Sequence, residues 1–146
     1  MDINTWVEKK IAGEEVTFPS QGQNTKIGDL SLEDAINGHI SWVKNWKNAL
    51  KERNYERFQP EIVCQDNQCY LGKWIYSIEE QFNQSGKYRA VKDKHAQFHL
   101  LAADIVTEHK KGQFASALMR SRTELSDASR VVAHALVELQ EEVNQK

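Results

Sequence analysis

Apolar residues recur at helical spacing through most of this chain, and no segment shows the strict alternation of a half-buried strand. Leu32, Ile36, Ile40, Val43 and Leu50 form one stripe, which predicts a helix from Ser31 to about Arg53. Its start carries a capping signal. In Ser31-Leu32-Glu33-Asp34 the serine hydroxyl can accept an early amide, with an acidic side chain three residues on. A second stripe of Leu71, Trp74, Ile75, Ile78 and Phe82 predicts a helix that stops at Ser85-Gly86. A third, Tyr88, Val91, His95, Phe98, Ala102, Ile105 and His109, closes on the basic turn Lys110-Lys111-Gly112. The fourth predicted helix is the longest, from about Gln113 to Asn144. Leu118, Leu125, Val132 and Leu139 repeat along it every seven residues, with Ser121, Ala128 and Ala135 on the neighbouring line. Residues 54–68, holding Pro60 and Cys64, read as a connection. The expected fold is all-α: an antiparallel four-helix bundle over residues 31–146, preceded by an N-terminal extension at residues 1–30. In that extension Trp6, Val7 and Ile11 suggest a short amphipathic turn, and Thr17 to Asn24 breaks any periodicity. It reads either as a partly disordered tail or as a peptide that docks on a partner through Trp6 and Ile11.

Composition narrows the function classes. Lys and Arg together number 19 and Asp and Glu 21 in 146 residues, a formal net charge of -2. That balance gives no electrostatic case for nucleic acid or for an acidic membrane surface. No apolar run approaches the ~20 residues of a membrane span, and the first residues lack a basic stretch leading into an apolar one, so no secretory signal is expected. With two cysteines, Cys64 and Cys69, and no signal, the expected compartment is the reducing cytoplasm. There a cysteine is better read as a ligand or redox group than as half of a disulfide.

The candidate chemistry lies in His39, Cys69, His95 and His99. His95 and His99 are four residues apart, so on a helix they differ by only ~40° of rotation and can share one ion. His39 falls beside the apolar stripe of the first helix and should point inward. Cys69 stands at the start of the second, where orphan amides favour a thiolate. Three imidazoles and one thiolate form a complete tetrahedral set for Zn2+, and closed sets of this kind support or switch a structure rather than catalyse. Around them, Gly38 and Gly72 are expected to let backbone come close, and Trp42, Trp46 and Trp74 to serve as core or interface aromatics. Asp34 reads equally as a helix cap and as a group orienting His39, although five residues along a helix is ~140° of rotation. Cys64 reads as a free surface thiol or as a resolving partner for an oxidised Cys69. His109 suits a cap on the helix dipole, and His134 with Glu138 a surface pair.

The pattern His39-Ile40-Ser41-Trp42, Cys69-Tyr70-Leu71-Gly72-Lys73-Trp74 and His95-Ala96-Gln97-Phe98-His99 resembles the chemoreceptor zinc-binding domain of bacterial signalling proteins. The intervals match as well, at 30 residues from His39 to Cys69 and 26 from Cys69 to His95. The resemblance covers roughly residues 31–144. It implies a zinc-bound four-helix domain, commonly a homodimer, that controls chemoreceptors or diguanylate cyclases and is not itself an enzyme. It also implies sensing of zinc, or of hypochlorous acid through the metal-bound Cys69. No output domain is attached to this chain, so a stand-alone regulator acting on a signalling partner in trans is expected. Two other classes compete: a zinc hydrolase, for which no His-Glu-x-x-His motif is present, and a di-iron, hemerythrin-like bundle, for which inward carboxylates are too few.

Overall fold

Side-chain caps set the starts of α-helices at Asp2, Ser31, Cys69 and Ser85, and the first long helix shows how. The computed structural model describes residues 1–19 and 26–145. In it α2 (Leu32–Glu52) begins at Ser31, whose hydroxyl accepts the Asp34 amide, and ends at Arg53 in a left-handed turn (φ 55°). Before it come α1 (Ile3–Ile11) and a minimal antiparallel hairpin of β1 (Lys26–Ile27) and β2 (Leu30–Ser31). After it follow the short α3 (Pro60–Val63), α4 (Tyr70–Ser77) and α5 (Glu79–Phe82), then the long α6 (Gly86–Lys110), α7 (Phe114–Arg122) and the long α8 (Glu124–Asn144).

The helical class is as the periodicity predicts, but two of the four expected helices are divided. The second breaks at Ile78, just after Ser77 turns its hydroxyl onto the Trp74 carbonyl at 2.7 Å. The fourth breaks at Thr123, whose hydroxyl takes the Met119 carbonyl at 2.9 Å. Such back-bonding by Ser and Thr competes with the helical ladder. The second break redirects the seven-residue stripe: Leu125, Val132 and Leu139 are buried, whereas Leu118 is 50% exposed.

Packing centres on α6. It runs against α8 along most of its length, and α3, α4 and α7 also lean on it. Ser85 and Lys87 at its start reach Glu142 and Glu138 near the end of α8, so these two helices are antiparallel. α2 lies against α8 and α4. Their shared core holds Ile36, Trp46, Leu71, Ile75, Val91, Phe98, Ile105, Leu125 and Leu136.

Residues 1–19 do not trail away from this body. α1 is capped by Asp2 and packs on α8 and α2, with Trp6 and Val7 fully buried. The Trp6 indole donates to the Val16 carbonyl and meets Phe18 edge-on at 4.9 Å. Glu8 pairs with Arg130 at 2.8 Å and with His134 at 2.6 Å. Burial of one large indole draws the segment in, an effect that a nine-residue pattern shows only faintly. Ile27 and Leu30 of the hairpin are buried too. The expected break in periodicity falls partly at residues 20–24, outside the described residues.

Candidate metal centre

The site is assembled at the start of α4 and the middle of α6. Cys69 is the N-cap of α4, and its sulfur accepts the Gly72 amide at 3.2 Å. The loop before it passes directly over the first turn of the helix. A Cβ on Gly72 would stand 1.8 Å from the Asp66 carbonyl oxygen, so only glycine fits there. This contact fixes the Cys69 loop against α4.

His95 and His99 present their Nε2 atoms to that sulfur. Cys69 Sγ is 3.3 Å from His95 Nε2 and 3.4 Å from His99 Nε2, and the two nitrogens are 3.2 Å apart. Zinc bond lengths in tetrahedral geometry put neighbouring nitrogens about 3.3 Å apart and a nitrogen and sulfur about 3.6 Å apart. The three atoms therefore already have the spacing of one face of a coordination tetrahedron. The tautomer of His99 suits this role. Its Nδ1–H donates to the Val63 carbonyl at 2.8 Å, which leaves Nε2 with a bare lone pair aimed at the site. The Trp42 ring tilts over His99 with centroids 4.8 Å apart and shields it.

Burial keeps the imidazoles neutral, the form that binds metal. It pushes His95 down to about 2, with further help from His99 and His39. His99 is also lowered by burial, with the Val63 carbonyl opposing. For Cys69 the expectation from the helix terminus is corrected. Burial pushes its thiol up, and the Gly72 and Leu71 amides only partly offset that. A bound cation, rather than the helix end, would stabilise the thiolate. His95 Nδ1 is buried without a partner.

His39 is buried as expected, yet it stands outside the group of donors that lie within 4.8 Å of one another, which is Cys69, His95 and His99. Its Nε2 is 2.7 Å from the Ser129 hydroxyl of α8, and its ring meets Phe98 edge-on at 4.7 Å. Asp34 is exposed and engaged through its amide by Ser31, so of its two readings the cap is the one with a contact. Trp74 donates from Nε1 to the Ile27 carbonyl at 2.9 Å and ties α4 to the hairpin. Gly38 faces the Tyr70 ring, with 2.8 Å from its missing Cβ to Cδ1, rather than another backbone. Cys64 and Cys69 are both free thiols, and Cys64 donates to the Glu61 carbonyl at 3.5 Å.

Two further histidines differ from expectation. His109 stands in the last turn of α6 as expected, but it is buried there: burial lowers its pKa, its Nδ1 is 2.5 Å from the Tyr55 hydroxyl, and Phe114 packs on its ring. His134 binds Glu8 of α1, while Glu138 pairs with Lys87. Three functional contributors escape a reading of side-chain motifs: the Val63 carbonyl, the Asp66 carbonyl and Ser129. The first two are backbone groups and leave no signal of their own. Ser129 does leave one, as a polar residue within the apolar seam of α8.

The arrangement defines a helical domain with a Cys/His/His centre, its two imidazoles buried, suited to a zinc-class ion. Residues 39–106 match the family model of the chemoreceptor zinc-binding domain. Zinc is the metal of the family, and Cys69, His95 and His99 are placed to hold it. No curated protein and no solved structure matches the chain. Among the described residues no helix is long and apolar enough to cross a membrane.

Proposed function

We propose that this protein is a regulatory zinc domain of bacterial signalling that reads zinc or a hypohalous oxidant through Cys69. The observation that carries this reading is the 3.2–3.4 Å triangle of Cys69 Sγ, His95 Nε2 and His99 Nε2. His39 completes the set on metal binding. With three neutral imidazoles and one thiolate the centre holds a net charge near +1, and sulfur is its sole anionic and readily oxidised donor. Hypochlorous acid would deliver its oxygen to the thiolate in a two-electron step, giving a sulfenic acid and releasing chloride. A sulfenic acid is a poor zinc donor, so the link between α4 and α6 loosens. The output is a chemoreceptor, a diguanylate cyclase or another signalling protein. Self-association into a homodimer fits Leu100 and Val131, apolar residues left 60% and 44% exposed on α6 and α8.

The test pairs elemental analysis with graded hypochlorous acid. One zinc per chain is expected, with zinc release tracking Cys69 oxidation in mass spectra. Zinc leaving while Cys69 stays intact, or a Cys69→Ser protein that responds like the parent, would refute the oxidant switch. A di-iron reading is disfavoured by chemistry: the metal-capable group among the described residues contains no carboxylate.

A further inference from the structure

The buried face of α8 carries Leu125, Val132, Leu136 and Leu139 in the alternating four-three rhythm of a bundle seam, and the remaining position of that series is Ser129. The serine is as enclosed as its neighbours, at 5% exposure. A hydroxyl in such a seam is costly unless it is bonded. Helix serines commonly return their proton to a carbonyl about one turn back, as Ser121 does to Leu118. The Ser129 hydroxyl reaches across to α2 instead, to His39 Nε2 at 2.7 Å. His39 itself is 3% exposed, and its ring and that of His99 both make edge contacts with Phe98, at 4.7 Å and 5.4 Å. The fourth candidate donor thus shares a ring neighbour with His99, and its Nε2 is already engaged.

We propose that Ser129 holds His39 in reserve: its O–H caps the Nε2 lone pair while metal is absent, and zinc entry draws His39 off Ser129 into the fourth coordination position. This rests on the zinc reading above and adds to it how occupancy is transmitted. One lone pair cannot serve both the hydroxyl and the ion. Loading therefore breaks a buried α2–α8 hydrogen bond and replaces it with a linkage among α2, α4 and α6. The serine keeps its proton and can turn it to the Leu125 carbonyl one helical turn back. α8 supplies no metal donor, yet its contact with α2 changes with the metal, so α8 is the element that reports occupancy.

The experiment uses the full chain and zinc in competition with a chromogenic chelator. Ser129→Ala removes the competitor for the lone pair and preserves helix propensity. Zinc affinity should rise on the order of threefold to tenfold, the scale of one buried hydrogen bond. In a His39→Ala background the same serine change should have no effect. Nitrogen NMR of the metal-free protein gives a second readout: the His39 Nε2 resonance should shift in Ser129→Ala, and in the parent on adding zinc. An unchanged affinity in Ser129→Ala overturns the proposal. So does a weakened one, which would make Ser129 a support for a coordinated His39. Zinc binding by Cys69→Ala equal to the parent would instead defeat the zinc reading itself, whatever Ser129 does.

Discussion

A methyl group at position 72 would sit 1.8 Å from the Asp66 carbonyl oxygen, inside any possible contact distance. Alanine is otherwise the better helix former by about 1 kcal/mol, so Gly72→Ala sets propensity against a backbone clash. The clash wins, because the opposing atom belongs to the chain and not to a flexible side chain. The variant should lose about 1–3 kcal/mol of stability and bind zinc more weakly, since Cys69 moves with the loop. Thermal melts and chelator competition would measure both. Cys69→Ser removes a donor outright. Its zinc affinity should fall by more than the roughly 10–100-fold that supporting residues of metal sites cost. The clustering of Cys69, His95 and His99 could be anticipated from the sequence because side-chain type and spacing carry metal chemistry directly. The placing of His39 could not, since its partner Ser129 is 90 residues away.

At the level of elements, α1 is the piece whose role was least evident. Its helical pattern spans nine residues, and the groups that hold it, Arg130 and His134, lie more than 120 positions on. Trp6→Ala should cost about 3–5 kcal/mol, as for other buried aromatic truncations, and would be read by denaturant unfolding. The docking of α1 should also depend on pH. Hydrogen bonds from His134 and then Arg130 hold the Glu8 carboxyl below its ordinary value of 4.5. A depressed carboxylate contributes stability that is complete above its unfolded pKa and is lost as pH falls through the folded one. Amide exchange in residues 3–11 should therefore accelerate below about pH 4.5, and Glu8→Gln should flatten that dependence. The breaks at Ile78 and Thr123 were hidden for a different reason: apolar spacing continues across both, and only the local hydroxyl bonds of Ser77 and Thr123 reveal them.

For the whole molecule, the candidate donors Cys69, His95 and His99 stand at the start of α4 and the middle of α6, which one small cluster joins. Metal should stabilise the folded state by mass action. Free zinc at 100 times its dissociation constant adds about 2.7 kcal/mol, which for a chain of this size raises the melting temperature by roughly 5–10 °C. Calorimetry with and without chelator checks this, and identical melts would argue against a bound ion that supports the fold. The all-α class was legible because four long stretches keep helical rhythm. The arrangement was less so, because α6 takes its cover from α3, α4, α7 and α8 alike, and no pattern within one helix says which neighbour comes to it.

The buried indole at Trp6 also sets where this unit can be cut. Residues 39–106 contain the recognisable motif, but the surfaces that shield α6 come largely from beyond them, in α7 and α8. A fragment trimmed to the motif would leave α6 without its α7 and α8 cover and, with α1 gone, would expose the part of α8 that α1 covers even if α8 were kept. Any graft of this centre into another protein has to carry both flanks with it.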